Sequence, residues 1–211
     1  MNRIPVLIIL IAAAPAFAAD AVLSKVMGPV FVRAAGSAKD VVAEGGEELI
    51  YGDTVKTGAG ALAHVMIGDD DAVLVRENSV FTLQGEPEKI LLNFKIGEFL
   101  IGLRKKLEKG QSFRVRTPSA VAAVRGTLFW GKTDTAKTTT FAGFGHAIAV
   151  TAKGKTVIVN AGQTTTVALA AAPADPSVHA IPVSYLDGFQ VEDSLSGLGD
   201  LVDLPQRPQE K

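Results

Sequence analysis

The sequence predicts an all-β domain, a sandwich, barrel or solenoid of many short strands, followed by a short C-terminal extension. Three observations predict it. Residues 21–170 are dense in Val, Ile, Phe and Thr, apolar side chains alternate over short runs, and Gly, Asp or Asn stand between the runs. About twelve such runs fit here, spaced too irregularly for a strict repeat.

Taken in order, the chain opens with Asn2 and Arg3, a short basic start. An apolar run over 4–14, broken only by Pro5, leads to Ala16-Phe17-Ala18. This pattern predicts a signal peptide over 1–18, cleaved between Ala18 and Ala19, and hence a periplasmic or secreted product. The run is short for an uncleaved anchor, since ~30 Å of hydrocarbon needs about 20 apolar residues. No cysteine follows the cleavage site, which excludes a lipoprotein anchor, and no later stretch is long and apolar enough for a membrane helix.

The β domain is expected over 19–170. Val30 and Val32 alternate around Phe31. Leu62, His64 and Met66 alternate with Ala63, Val65 and Ile67, giving one mixed face and one apolar face. Val73 and Val75 flank Leu74, and Phe81 and Leu83 alternate with Thr82 and Gln84. Further strands are expected around 90–96, 98–103, 112–116, 127–131, 138–141, 147–151, 156–160 and 164–169. Turns fall at Gly52-Asp53, Gly58-Ala59-Gly60, 68–71, Gly85, Gly97, Gly154 and Gly162. The charged insert at 104–110, RKKLEKG, reads as a hairpin loop or a short helical turn.

Residues 171–211 read as linker and tail. The stretch 170–176, AAAPADP, is a small-residue linker, and 181–185 offers an edge strand. Leu195, Leu198, Leu201 and Val202 form an apolar stripe that Gly197 and Gly199 weaken as a free helix. Docking on the domain or on a partner is expected instead.

Composition excludes several chemistries. Lys+Arg number 21 against 22 Asp+Glu, a net charge of -1, so the basic surplus of a nucleic-acid binder is missing. Zero cysteines remove disulfides, thiol nucleophiles, iron–sulfur clusters and cysteine-ligated zinc. His64, His146 and His179 lie far apart, and Asp69-Asp70-Asp71 lacks the spaced ligands of a calcium loop. No nucleophile elbow, phosphate loop or dinucleotide fingerprint occurs. Glu47, Glu48, Glu77 and Glu98 read as surface carboxylates, and Trp130, Phe141 and Phe144 as core or as a stacking platform for a sugar or a partner. The expectation is a protein without a cofactor, a metal or a catalytic site.

Three segments resemble the FecR domain, the periplasmic module first named from a ferric-citrate signalling regulator. The first is Leu49-Ile50-Tyr51-Gly52-Asp53-Thr54-Val55-Lys56-Thr57-Gly58. The second, and the most specific, is Phe113-Arg114-Val115-Arg116-Thr117-Pro118 followed by Val124-Arg125-Gly126-Thr127-Leu128-Phe129. The third is Val159-Asn160-Ala161-Gly162-Gln163. The motif residues Gly52, Asp53, Thr57, Gly58, Thr117, Pro118, Arg125, Gly126, Thr127, Phe129, Gly162 and Gln163 read as structural. Gly58 and Gly126 suit sharp turns or close backbone approach, and Thr117-Pro118 suits a strand end. Asp53 suits a turn that caps its own backbone, and Arg125 suits pairing with backbone carbonyls or with a carboxylate such as Asp53.

In that family the domain passes a signal from an outer-membrane receptor to a cytoplasmic anti-sigma segment. Here a signal peptide replaces the cytoplasmic segment. The resemblance therefore implies a non-catalytic periplasmic module that binds a protein partner in envelope signalling or assembly. A cell-wall or polysaccharide-binding protein using Trp130 is the alternative, and an envelope hydrolase ranks below both.

Overall fold

The structure, a computed structural model, describes residues 20–68 and 71–178. The expected signal peptide, Asp69, Asp70, His179, the edge strand expected at 181–185 and the apolar stripe at 195–202 lie outside the described residues.

Among the described residues all regular structure is β. The first strands are β1 Ala21–Met27, β2 Val30–Arg33, β3 Val41–Val42, β4 Glu47–Leu49, β5 Thr54–Thr57, β6 Leu62–Ile67, β7 Asp71–Val75 and β8 Val80–Glu86. A long strand follows, β9 Lys89–Leu103. The chain continues through β10 Ser112–Arg116, β11 Val121–Val124, β12 Leu128–Thr133, β13 Thr139–Gly143, β14 Ile148–Ala152, β15 Lys155–Val159, β16 Gln163–Val167 and β17 Ser177–Val178.

The pairings resolve into two layers. Sheet I runs β4-β1-β6-β7-β9-β12-β13-β16-β17. Sheet II runs β3-β2-β5-β8-β9-β10-β11-β14-β15. Both sheets follow chain order almost throughout, because successive hairpins drop alternately into one layer and then the other. The sandwich and solenoid expectations thus meet in one molecule, a flattened coil of mostly antiparallel strands.

Strand β9 belongs to both sheets. Its first half pairs with β8 and β10 in sheet II, and its second half pairs with β7 and β12 in sheet I. The parallel pairing of β10 with β9 closes one full coil turn, with 104–111 as the return crossover. The charged insert is therefore neither a hairpin loop nor a helix. A hairpin would join antiparallel neighbours, whereas this loop carries the chain from one layer to the other.

The crossing falls at Gly97, whose φ of +119° suits glycine and where a Cβ would meet Ser79 Oγ at 2.0 Å. Ser79 is fully buried and fixes the crossing by hydrogen bonds. Glu98 N–H donates to Ser79 Oγ at 3.1 Å, and Ser79 N–H donates to Thr57 Oγ1 at 2.9 Å. Phe81, Phe94, Phe99 and Phe129 then form a chain of ring contacts through the core from sheet II to sheet I, with centroids 5.0, 4.3 and 6.1 Å apart. Gly131 sits opposite Phe99, where a Cβ would lie 2.3 Å from the ring.

Past residue 170 the chain stays attached. Ala174 N–H donates to Thr166 O at 3.1 Å, Thr165 Oγ1 donates to Ala174 O, and Ser177–Val178 pairs with β16. The sheet thus extends beyond the expected domain boundary, and the proline-containing stretch packs on its edge.

Candidate functional site

The motif residues do not converge on one cleft; they hold turns and crossings. Buried Asp53 accepts from Ala35 N–H at 2.7 Å and from Ile50 N–H at 3.0 Å, joining two loops beside Gly52. Gly58 packs its backbone on Pro29, and Thr57 donates to Arg76 O while accepting from Ser79. Thr117 accepts from Ala120 N–H at 3.2 Å, closing the turn that contains Pro118. Thr117, Ser119, Thr133 and Thr139 form a buried hydroxyl network. Thr127 Oγ1 donates to His146 O at 2.9 Å, and Phe129 is in the core. Gln163 Oε1 accepts from Asn160 N–H at 2.9 Å, bracing the turn through Gly162.

Arg125 departs from the expectation. Its side chain is exposed, Asp53 is committed elsewhere, and no ion pair holds Arg125 among the described residues. Neighbouring Gly126, at φ +105°, lets the backbone approach Lys105 and Lys106, where a Cβ would sit 2.9 Å from Lys105 O. That contact seats the crossover loop 104–110 against the turn, with Arg104, Lys106, Lys109 and Arg125 at the surface.

The chemistry missed by the sequence reading lies on the outer face of sheet I. Alternation along β9 sends Phe99, Ile101 and Leu103 into the inter-sheet core and Glu98 and Leu100 outward. Outward-facing Ala72, Leu74, Leu100, Leu128, Trp130 and Ala142 form a second apolar cluster, flanked by Leu62, Met66 and Phe144. Glu98 sits at its margin with a side chain only 10% exposed, so it is not an ordinary surface carboxylate. Arg76 Nη1 lies 3.2 Å from Glu98 Oε1, Lys132 Nζ lies 3.1 Å from Oε2, and Trp130 Nε1–H donates to Oε1 at 3.2 Å. The register explains the group, because Lys132 pairs directly with Glu98 and Arg76 N–H bonds Glu98 O. A lone Glu before the run Phe99-Leu100-Ile101 was the sequence signal for this site.

The three candidate aromatics separate. Phe141 faces the inter-sheet core, while Trp130 and Phe144 share the outer cluster. At 2% exposure the Trp130 indole offers no open stacking platform for a sugar. On the same face, His64 Nδ1 meets Ser24 Oγ at 2.9 Å, whereas Nε2 is buried and has no partner among the described residues. Burial, with the positive charge of Lys25 second, holds His64 below its ordinary value of 6.5.

Sheet edges are the other exposed feature. Val41 and Val42 on β3 are exposed, as are Ile158 on β15 and Val178 on β17. Among the described residues the edge strands are β3, β4, β15 and β17; β15 is the longest, and there it pairs only with β14. Among the described residues no three His, Asp or Glu side chains gather as a metal-binding group.

Comparison with known proteins agrees with this geometry. Residues 53–147 match the family described as FecR protein. Two crystal structures of a candidate anti-sigma factor from Parabacteroides distasonis ATCC 8503, at 2.50 and 1.65 Å resolution, share the fold with a TM-score of 0.53. Their identities to this chain are 16% and 15%, and each match covers 60% of this chain and 59% of the neighbour, less than two thirds of that protein's length. No curated protein matches the chain.

Proposed function

From the match of residues 53–147 to the FecR protein family we propose that the protein is a non-catalytic binding module of the bacterial cell envelope. It is exported by its first 18 residues and takes a protein partner in envelope signalling or assembly. The observation that carries this reading is the free edge of β15. It offers a Lys155–Val159 backbone with no proline, with Val157 and Val159 buried and Ile158 52% exposed, and Lys155 at its start is paired with Asp175. Proteins usually blunt such edges, and a free one is a template for strand addition, where main-chain bonds give affinity and alternate side chains give specificity. The anti-sigma description of the structural neighbours supports a regulatory output.

The test places a photo-cross-linking residue at Ile158 and, as control, at Thr82 in the middle of sheet II, in cells producing the full chain. A discrete protein adduct from position 158 alone is expected, and Ile158→Lys should weaken it. Recovery of bare monomer from both positions would sink the proposal, as would equal labelling from both.

A further inference from the structure

We infer that residues 181–204 of this same chain cover the outer face of sheet I. The two sheets differ on their outer sides. Sheet II presents Lys56, Thr82, Asn93, Lys95, Arg114 and Arg116 to solvent, as a sheet with one wet face should. The centre of sheet I is apolar on its outer side as well as its inner one: Leu100 is 0% exposed, Leu128 0%, Leu74 1% and Trp130 2%. Every described member of this outer cluster belongs to sheet I itself or to Phe144 at the end of β13. Pleated neighbours alone do not close over a residue in the middle of a sheet; a second layer about 10 Å away does. The face is built to be covered.

The occupant follows from connectivity and charge. The chain leaves sheet I at Val178, on β17, three strands from Trp130 on β12. That distance is about 15 Å at the usual strand spacing, and a few extended residues span it. The segment that follows carries Ile181, Val183, Tyr185, Leu186, Phe189 and Val191, then the stripe Leu195, Leu198, Leu201 and Val202. Its charges are all acidic, namely Asp187, Glu192, Asp193, Asp200 and Asp203, with no Lys or Arg before Arg207. Along the margins of the outer face stand Lys25, Arg76 and Lys132, with Glu98 between the last two and Glu48 on the far β4 edge. An apolar, acidic segment matches an apolar surface with a mainly cationic margin.

The experiment uses the full chain, with a photo-cross-linking residue in place of Met66 at the half-buried border of the cluster. Adducts within monomeric protein, mapping to 181–204, are expected. Adducts to a second copy, to residues 1–18 or to no peptide would overturn the inference. A second measurement uses Trp130, the single tryptophan. In the variant Leu195→Ser/Leu198→Ser/Leu201→Ser, acrylamide quenching of Trp130 should rise about threefold as its cover loosens. Unchanged quenching would overturn the inference even if the chain stays folded. Neither readout involves β15, so failure here is distinguishable from failure of the strand-addition proposal.

Discussion

Replacing Glu98 separates the contributions that meet at its carboxylate. A fully dry ion pair that loses one partner costs about 3–5 kcal/mol. Here the Arg76 and Lys132 side chains are 32% and 55% exposed and can return to water, so each pairing is worth nearer the surface value. Surface pairs contribute roughly 0–1 kcal/mol each. The Trp130 indole is different, because it is buried and donates to a charged acceptor. Hydrogen bonds to charged groups contribute about 1.5–3 kcal/mol. Glu98→Gln keeps the shape and an acceptor and loses only the charge, so about 1 kcal/mol of destabilisation is expected. Glu98→Leu strands the indole N–H as well, and about 2–4 kcal/mol is expected. Urea unfolding monitored by Trp130 emission measures both, and added salt should narrow the gap between Gln and the parent, since at 1 M the screening length is about 3 Å. If Leu proves as stable as Gln, or if Trp130 emission is the same in all three proteins, the indole–carboxylate bond does not hold this face together and the reasoning fails.

Other outcomes follow from the same structure. Gly97→Ala places a methyl group into Ser79 at a positive φ and should cost about 2–4 kcal/mol in denaturant unfolding, among the larger single-site effects. Phe99→Ala removes the ring at the middle of the aromatic contact chain and should cost about 3–5 kcal/mol. Because His64 is held neutral in the fold below its ordinary 6.5, the unfolded chain binds the extra proton first. Stability should therefore be full above that value and fall as pH drops below it, and His64→Leu should flatten this part of the profile measured by thermal unfolding. Arg125→Ala, at an exposed position without an ion pair, should move Tm by no more than about 1 °C; a large loss would show that the guanidinium has a structural partner.

Many strands were legible where alternation met a Gly, Asp or Asn boundary, although β1, β5 and β11 were not read from the sequence. The pattern Leu62-Ala63-His64-Val65-Met66-Ile67 gives β6 its two faces correctly, and its mixed face is the outer side of sheet I. The division into layers was not legible. Residues 90–96 and 98–103 read as two strands around a turn at Gly97, yet they are one strand that changes sheet. Local sequence encodes the kink but not which neighbours await on either side of it. The short edge strands β3 and β4 escaped for a related reason, being too brief to show a period. In the motif region, glycines and threonines announced tight backbone geometry, and turns and crossings are where they lie. The Glu98 group stayed hidden because Arg76, Glu98, Trp130 and Lys132 meet through register across three strands. Arg125 misled, since its flanking apolar residues suggested burial while the strand had already ended at Val124.

Strand β9 also bears on how the domain yields under load. Because hairpins fill both layers in chain order, residues 20 and 178 lie toward opposite ends of the stack. Tension between them would peel hairpins away one after another, each step breaking few bonds at a time. At β9 that unzipping meets a strand fastened in both layers, so neither half can slip sideways past the other without tearing ladders on two fronts. Opening past this point would have to release the pairings of β9 with β8 and β10 as well as those with β7 and β12.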